Sequence, residues 1–297
     1  MIELIVVSLI WAFSFGLIKD NLAAVDPNFV AFARLFVALL VFLPFLRLRG
    51  LTRRVTLQLA VTGAVQYGIM YIAYNLSFQY LKAYEVALFT IFTPIYVTLI
   101  DNILQKCFSW LQGLATLVAV AGTAVIKISG AVQSDIWLGF LIVQVSNLAF
   151  AFGQIYYKKV MAANPALKDR QVYAIPYLGA AVLTALSTTL VGGWSRLALG
   201  SAQVTSLLYL GVIASGLGFF LWNMGARKVN NGALAIFNNL KIPLAVAVSL
   251  LVFGEQANIA NLLVGGALIL LAFGLNEFFT RWKRLKPQQV SQGSIPK

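Results

Sequence analysis

Apolar residues run along this chain in long blocks of about twenty, separated by short clusters of charged and turn-forming residues. The blocks lie at about 2–18, 28–46, 55–78, 84–104, 111–129, 136–157, 172–192, 204–225, 232–253 and 258–279. A helix needs roughly 20 mostly apolar residues to cross the hydrocarbon core of a bilayer. The pattern therefore predicts ten transmembrane helices, spans 1 to 10, joined by connections too short to hold a domain. Composition agrees: 60% of the residues are hydrophobic, 10% are charged, and the mean hydropathy is +0.86. A soluble domain carries about 25% charged residues, so polar groups here are too few to cover a soluble globule. The expected class is an all-α integral membrane protein. The opening Met1-Ile2-Glu3 puts an acid where the basic start of a removable leader would stand, so span 1 is read as a retained helix. The stretch at 281–297, rich in Gln, Ser and Pro, is expected to be a disordered cytoplasmic tail.

Charge first suggests a different partner. Lys and Arg number 22 against 9 acids, a formal charge of +13, which on a soluble protein would suit nucleic acid. The layout points to topology instead. Ten spans put both termini on one side. That side holds Arg47, Arg49, Arg53, Arg54, Lys106, Lys158, Lys159, Lys168, Arg170, Arg227, Lys228, Arg281, Lys283, Arg284, Lys286 and Lys297. The other side holds Lys19, Lys82, Lys127 and Arg196, and only Arg34 and Lys241 fall inside spans. Positive residues mark the cytoplasmic side. Both termini should be cytoplasmic in an inner (plasma) membrane, with the basic face against anionic lipid heads and no nucleic-acid partner.

The halves of the chain resemble each other. Ala12-Phe13-Ser14-Phe15-Gly16 in span 1 returns as Ala149-Phe150-Ala151-Phe152-Gly153 in span 6. Tyr74-Asn75 matches Trp222-Asn223, Pro94 matches Pro243, and Gly113 and Gly122 match Gly265 and Gly274. The expected organisation is a first five-helix repeat at 1–130 and a second at 131–280. Five spans is an odd number, so tandem repeats enter the membrane from opposite faces. Two inverted five-helix repeats suit alternating access around a midplane site.

These residues resemble a ten-span member of the drug/metabolite transporter superfamily, with two EamA-type repeats, over about 2–279. The resemblance rests on Trp11-Ala12-Phe13-Ser14-Phe15 with Lys19, on Phe32-Ala33-Arg34-Leu35, and on Pro243 followed by Phe253-Gly254-Glu255. The first repeat has Pro94 but then Leu104-Gln105-Lys106, so Lys106 stands where the pattern has Glu. The resemblance implies a carrier of small metabolites, often an exporter, with a cavity lined by spans 1, 3, 4, 6, 8 and 9.

Polar residues inside the spans supply the candidate site, because polar groups in hydrocarbon tend to face a bundle interior. Span 6 puts Gln144, Asn147, Ala151 and Gln154 on one helical face. Span 3 aligns Tyr67, Tyr71 and Tyr74 with Asn75. Span 8 aligns Ser215, Phe219 and Trp222 with Asn223, and span 1 adds Trp11 and Ser14. Such a set builds either an aromatic cavity with amide and hydroxyl handles or plain interhelical glue. Span 9 contributes Asn238, Asn239 and Lys241 beside Pro243. Lys241 sits near mid-depth, where an unpaired ammonium costs at least about 2.5–3.5 kcal/mol. It either meets an anionic group of a substrate or satisfies itself on backbone carbonyls. Arg34 lies closer to the outer surface, within reach of it by snorkelling, and reads as structural or as a gate contact ahead of a substrate ligand. Pro94 and Pro243 are candidate hinge or kink points.

All nine acids fall near span ends or in loops, which argues against proton exchange through a carboxylate at mid-depth. Histidine is absent and Cys107 is the single cysteine. A His-based triad, a His metal site and a disulfide are excluded, and no GxSxG or P-loop occurs. No metal, no cofactor and no enzymatic activity are expected. A receptor or scaffold would need long loops or an output domain that the spans leave no room for. The sequence supports a transporter of a small-molecule substrate, working as a single chain, with amino acids or related carboxylates as cargo. Sugar phosphates or nucleotide sugars are the alternative.

Overall fold

A computed structural model describes residues 2–104, 135–195, 197, 199–229 and 231–256, with isolated positions from 260 to 278. Eight helices are continuous there: α1 (Ile2–Asn21), α2 (Pro27–Phe45), α3 (Arg53–Ser77), α4 (Ala83–Leu104), α5 (Ile136–Ala162), α6 (Asp169–Leu190), α7 (Ser201–Arg227) and α8 (Asn231–Leu251). They correspond to spans 1–4 and 6–9. The first seven are long and apolar enough to cross a membrane. The chain is thus an all-α, multi-pass membrane protein. Spans 5 and 10, the Gly113, Gly122 and Gly265 positions of the repeat, Lys106 and the tail lie outside the described residues.

Local chemistry starts and stops these helices. Asp26 caps α2, accepting from the backbone N–H of Asn28 and Phe29, with Pro27 in the first turn. Thr52 caps α3 through the Val55 N–H. Their outer faces stay apolar: Ile5, Leu9 and Phe13 of α1, and Leu141, Val145 and Leu148 of α5, are all exposed. Stripes at helical spacing, exposed on several helices, read as lipid-facing surface.

Neighbour packing closes a ring in the order α1, α8, α4, α5, α3, α2, α7 and back to α1, with α6 packed outside against α2 and α3. Small residues allow the tightest approaches. A Cβ on Gly63 of α3 would lie 1.8 Å from the Pro176 carbonyl oxygen, and one on Gly179 of α6 would lie 2.1 Å from that of Ala60. The two helices therefore cross with their backbones in contact.

Two helices carry a π-turn, Ala64–Ile69 in α3 and Leu210–Leu217 in α7. The offset of 148 residues that relates Tyr74 to Trp222 carries the first onto 212–217, inside the second. Such turns shift the helical ladder and free carbonyl oxygens. In α7 the oxygens are taken by partners from other helices. Trp11 Nε1 donates to the Ala214 oxygen at 2.8 Å, and the Tyr177 hydroxyl reaches the Ser215 and Gly216 oxygens at 2.7 and 2.8 Å. The two prolines also stand at helix irregularities or inside a helix. Pro94 follows the tight 3-10 turn Thr90–Phe92 in α4, and Pro243 lies within α8.

The Phe253-Gly254-Glu255 motif ties α8 to α4 and α1. Gly254 has φ +65, a left-handed conformation that favours glycine. Phe253 packs where a Cβ on Gly16 would be, at 2.1 Å. The Glu255 carboxylate accepts from the Ala83 and Tyr84 N–H groups at 2.8 and 3.1 Å and from the Ser249 hydroxyl. It caps the start of α4 rather than its own helix, an anion at a helix N-terminus. Lys82 adds a bond to the Gln256 oxygen at 2.8 Å. Glu255→Ala is expected to cost about 1–2 kcal/mol, lowering the melting temperature in detergent by roughly 2–6 °C. An unchanged melting temperature would show that the cap contributes nothing. The opposite end of the bundle has its own ties: Lys228 to Glu3, and Arg227 to Asp169 at 2.5 Å.

Candidate functional site

The ring surrounds a half-open cavity to which all seven of its helices contribute. Its floor is aromatic. Trp11 of α1 packs against Phe150 of α5, Phe219 and Trp222 of α7, with ring centroids at 5.8, 5.1 and 5.0 Å. The Trp11 bond to the α7 π-turn fixes the indole, and Gly218 leaves it room: a Cβ there would lie 2.9 Å from Nε1. Tyr71 leans on Phe219 at 5.5 Å, and Tyr74 and Phe15 complete that side.

Lys241 enters from α8. Its residue is 6% exposed, and Nζ sits 4.9 Å from the Trp11 ring centroid and 5.5 Å from that of Phe150. Cation–π contact returns about 0.5–2 kcal/mol. Its recorded contacts are those two rings, with no hydrogen bond or ion pair among the described residues. Of the two alternatives read from the sequence, the one in which backbone carbonyls satisfy it finds no such bond among the described residues.

Arg34 departs from the sequence reading. It does not snorkel: it is 1% exposed and lines the cavity. Nε donates to Ser215 Oγ at 3.2 Å and Nη2 to the Tyr71 hydroxyl at 2.6 Å, while its carbon lies 4.0 Å from the Tyr71 ring centroid. The Ser215 and Tyr71 oxygens are 2.9 Å apart, closing a triangle. Ser215 sits on the π-turn of α7, which turns it toward α2. Depth along α2 alone could not reveal that pull, so span 2 joins the six spans expected to line the cavity.

A polar wall completes the site. Thr93 donates to Asn147 Oδ1 at 3.1 Å, and Asn147 Nδ2 donates to the Phe89 oxygen at 2.9 Å. Thr90 and Ser146 lie beside them. The 3-10 turn in α4 presents Thr90 and Thr93. Their only signal in the sequence is a pair of hydroxyls three apart in an apolar span. Among the described residues no Asp or Glu lines the cavity.

The sequence-derived set thus divides by depth. Trp11, Ser14, Tyr71, Asn147, Phe219 and Lys241 line the cavity. Tyr67, Gln154, Trp222, Asn223 and Asn238 form a buried polar layer beyond it. There Gln66 and Asn223 exchange amide bonds at 3.0 and 3.1 Å, Asn223 donates to Tyr67 at 2.8 Å, and Tyr67 shares a bond with Tyr173 at 2.7 Å. Trp222 Nε1 donates to Gln154 at 3.1 Å, and Asn238 to the Leu234 oxygen at 3.0 Å. Gln66, Tyr173 and Tyr177 were not singled out in the sequence. Asn75 turns away, donating to the Pro27 oxygen at 3.4 Å. The side chain of Asn239 lies outside the described residues. Among the described residues no cluster of metal-ligating side chains occurs.

Comparison with known proteins agrees with this architecture. Residues 1–128 match the EamA-like transporter family. The chain is 38% identical over 280 residues to a "Probable biotin transporter" of Pseudomonas aeruginosa, covering 94% of this chain and 98% of that one. It is 37% identical over 274 residues to the "Biotin transporter" of Escherichia coli, covering 92% and 91%. A solved crystal structure shares the fold with a TM-score of 0.66 at 18% identity, over 94% of this chain and 97% of that chain. A cavity within a bundle of membrane helices, together with these relatives, leaves one conclusion: the chain belongs to the EamA-like transporter family and is a carrier of small molecules, not an enzyme.

Proposed function

We propose that this chain carries biotin across the inner membrane by alternating access, with the substrate carboxylate on Lys241. The observation that carries the proposal is a buried ammonium facing a cavity in which no described residue is an acid. Biotin brings one carboxylate, an apolar body and a neutral ureido head. The carboxylate suits Lys241, since charge-assisted hydrogen bonds are the strong ones. The rings of Trp11, Phe150 and Phe219 suit the body, and the Thr93 and Asn147 wall and the Arg34–Tyr71 pair offer partners to the head. The relatives named biotin transporters support the same substrate.

Amino acids, the cargo expected from the sequence, fit less well. Their ammonium would meet Lys241 and Arg34 with no carboxylate beside it. Like charges in a low dielectric repel strongly.

The transport cycle follows from the repeats. Matched π-turns in α3 and α7, and the matched Pro94 and Pro243, support two five-helix units at 1–130 and 131–280. The uneven basic residues support cytoplasmic termini. The Glu255 tie and the Gln66–Asn223 layer then stand on opposite sides of the cavity, and each must part in turn. Exchange of labelled for unlabelled biotin in proteoliposomes tests the substrate whatever the net direction. Saturable exchange is expected with the purified chain, and exchange no faster than in empty vesicles would overturn the assignment.

A further inference from the structure

The two cations of the cavity stand on different walls and have different unmet needs. Lys241 lies between Trp11 and Phe150, with no hydrogen-bond partner among the described residues. Arg34 is held between α3 and α7, with Nε on Ser215 and Nη2 on Tyr71. Its Nη1 is buried and has no acceptor among the described residues. A buried donor left unpaired costs about 1–3 kcal/mol, and more on a charged group.

We propose that Arg34 is the residue that reads the neutral head of the substrate, Nη1 donating to the ureido carbonyl oxygen while Lys241 holds the carboxylate at the other wall. The proposal rests on the biotin reading above. Donor geometry sets the direction of the substrate. Arg34 is a rigid fork already bound on two of its nitrogens by neutral hydroxyls. Three of its five N–H groups remain, two of them on the buried Nη1 that has no acceptor among the described residues, and a carbonyl oxygen satisfies Nη1 without bringing a charge. Among the described residues Lys241 keeps all three of its donors free and has no ion pair, only the faces of two rings, which is what a carboxylate requires. A ureido oxygen is a strong acceptor and carries no charge that must be matched. Arg34 and Tyr71 both line the cavity, and the Tyr71 ring covers the guanidinium face at 4.0 Å, so a shift of that ring would open Nη1 to the substrate.

This arrangement makes two chemical preferences separable. One is for the ureido oxygen over the =NH of 2-iminobiotin, whose guanidine-like head is a cation at neutral pH and would face Arg34. The other is for the free carboxylate over its methyl ester. Both are read by competition against labelled biotin in proteoliposomes. Arg34→Gln is expected to reduce the preference for biotin over 2-iminobiotin by about tenfold or more, while the preference over the ester changes less than about threefold. Lys241→Gln is expected to do the reverse. If Arg34→Gln loses both preferences in parallel, or keeps the first intact, the head-group role is wrong. Should that variant not accumulate, Tyr71→Phe keeps the ring and frees a further Arg34 N–H, on Nη2. Its preference for biotin over 2-iminobiotin is then expected to rise about threefold with the ester preference fixed, and an unchanged or lower preference counts against the proposal. Wild-type protein that exchanges no biotin defeats the substrate reading itself. Wild-type exchange with parallel losses in Arg34→Gln defeats only the role of Arg34.

Discussion

Lys241→Met is expected to weaken biotin exchange by roughly 10- to 100-fold, the worth of a hydrogen bond to a charged group, and at the same time to make the protein more stable. The two effects share one cause. An ammonium near mid-depth costs about 2.5–3.5 kcal/mol or more, and cation–π contact with Trp11 and Phe150 returns about 0.5–2 kcal/mol. The remainder is met only when an anion arrives. Methionine fills a similar volume without charge and packs well against rings. The melting temperature of the empty protein should therefore rise by about 2–5 °C, while added biotin should no longer raise it. A residue kept for packing would behave oppositely, with a lower melting temperature and little change in exchange. That opposite pattern would remove Lys241 from the binding site.

The largest effect on folding is expected from Gly63→Ala. The added carbon would sit 1.8 Å from the Pro176 carbonyl oxygen and 2.3 Å from its carbon, both backbone atoms of α6. No rotamer relieves such a contact, so the helices must separate. We expect a loss of about 3 kcal/mol or more and little folded protein in the membrane fraction. Gly179→Ala at the same crossing should match it, since its Cβ would lie 2.1 Å from the Ala60 oxygen. Gly68→Ala makes a graded comparison: its Cβ would lie 2.8 Å from Cδ2 of Leu183, a terminal methyl group that can turn away. It should be milder in stability. Wild-type accumulation and melting of Gly63→Ala would show that the α3–α6 crossing is looser than described.

Much of the fold was legible because the bilayer demands long apolar helices, and the span boundaries agree with the described helices to within a few residues. The aromatic floor was legible too: Trp11, Tyr71 and Phe219 lie on helical stripes that period alone can assign to one face. Period does not assign depth. Gln144, Asn147 and Gln154 share a face of α5, but ten residues of helix span about 15 Å. Asn147 therefore reaches the cavity wall and Gln154 the polar layer beyond it. The π-turns were not legible, since one extra residue per turn leaves no mark in an apolar run. They turn Ser215 toward Arg34 and free the oxygens that hold Trp11 and Tyr177. Arg34 was misplaced for that reason: its depth from the helix start suggested escape to water, while its partners come from α3 and α7.

The central claim is that a carboxylate on an otherwise neutral, largely apolar molecule is recognised by Lys241 in this cavity. Equilibrium binding of biotin and of biotin methyl ester to the purified wild-type protein and to Lys241→Met tests it most directly. The account predicts that the wild type binds biotin at least about tenfold more tightly than the ester, and that Lys241→Met binds the two alike and weakly. Equal binding of acid and ester by the wild type, or a preference for the acid that survives in Lys241→Met, would contradict it.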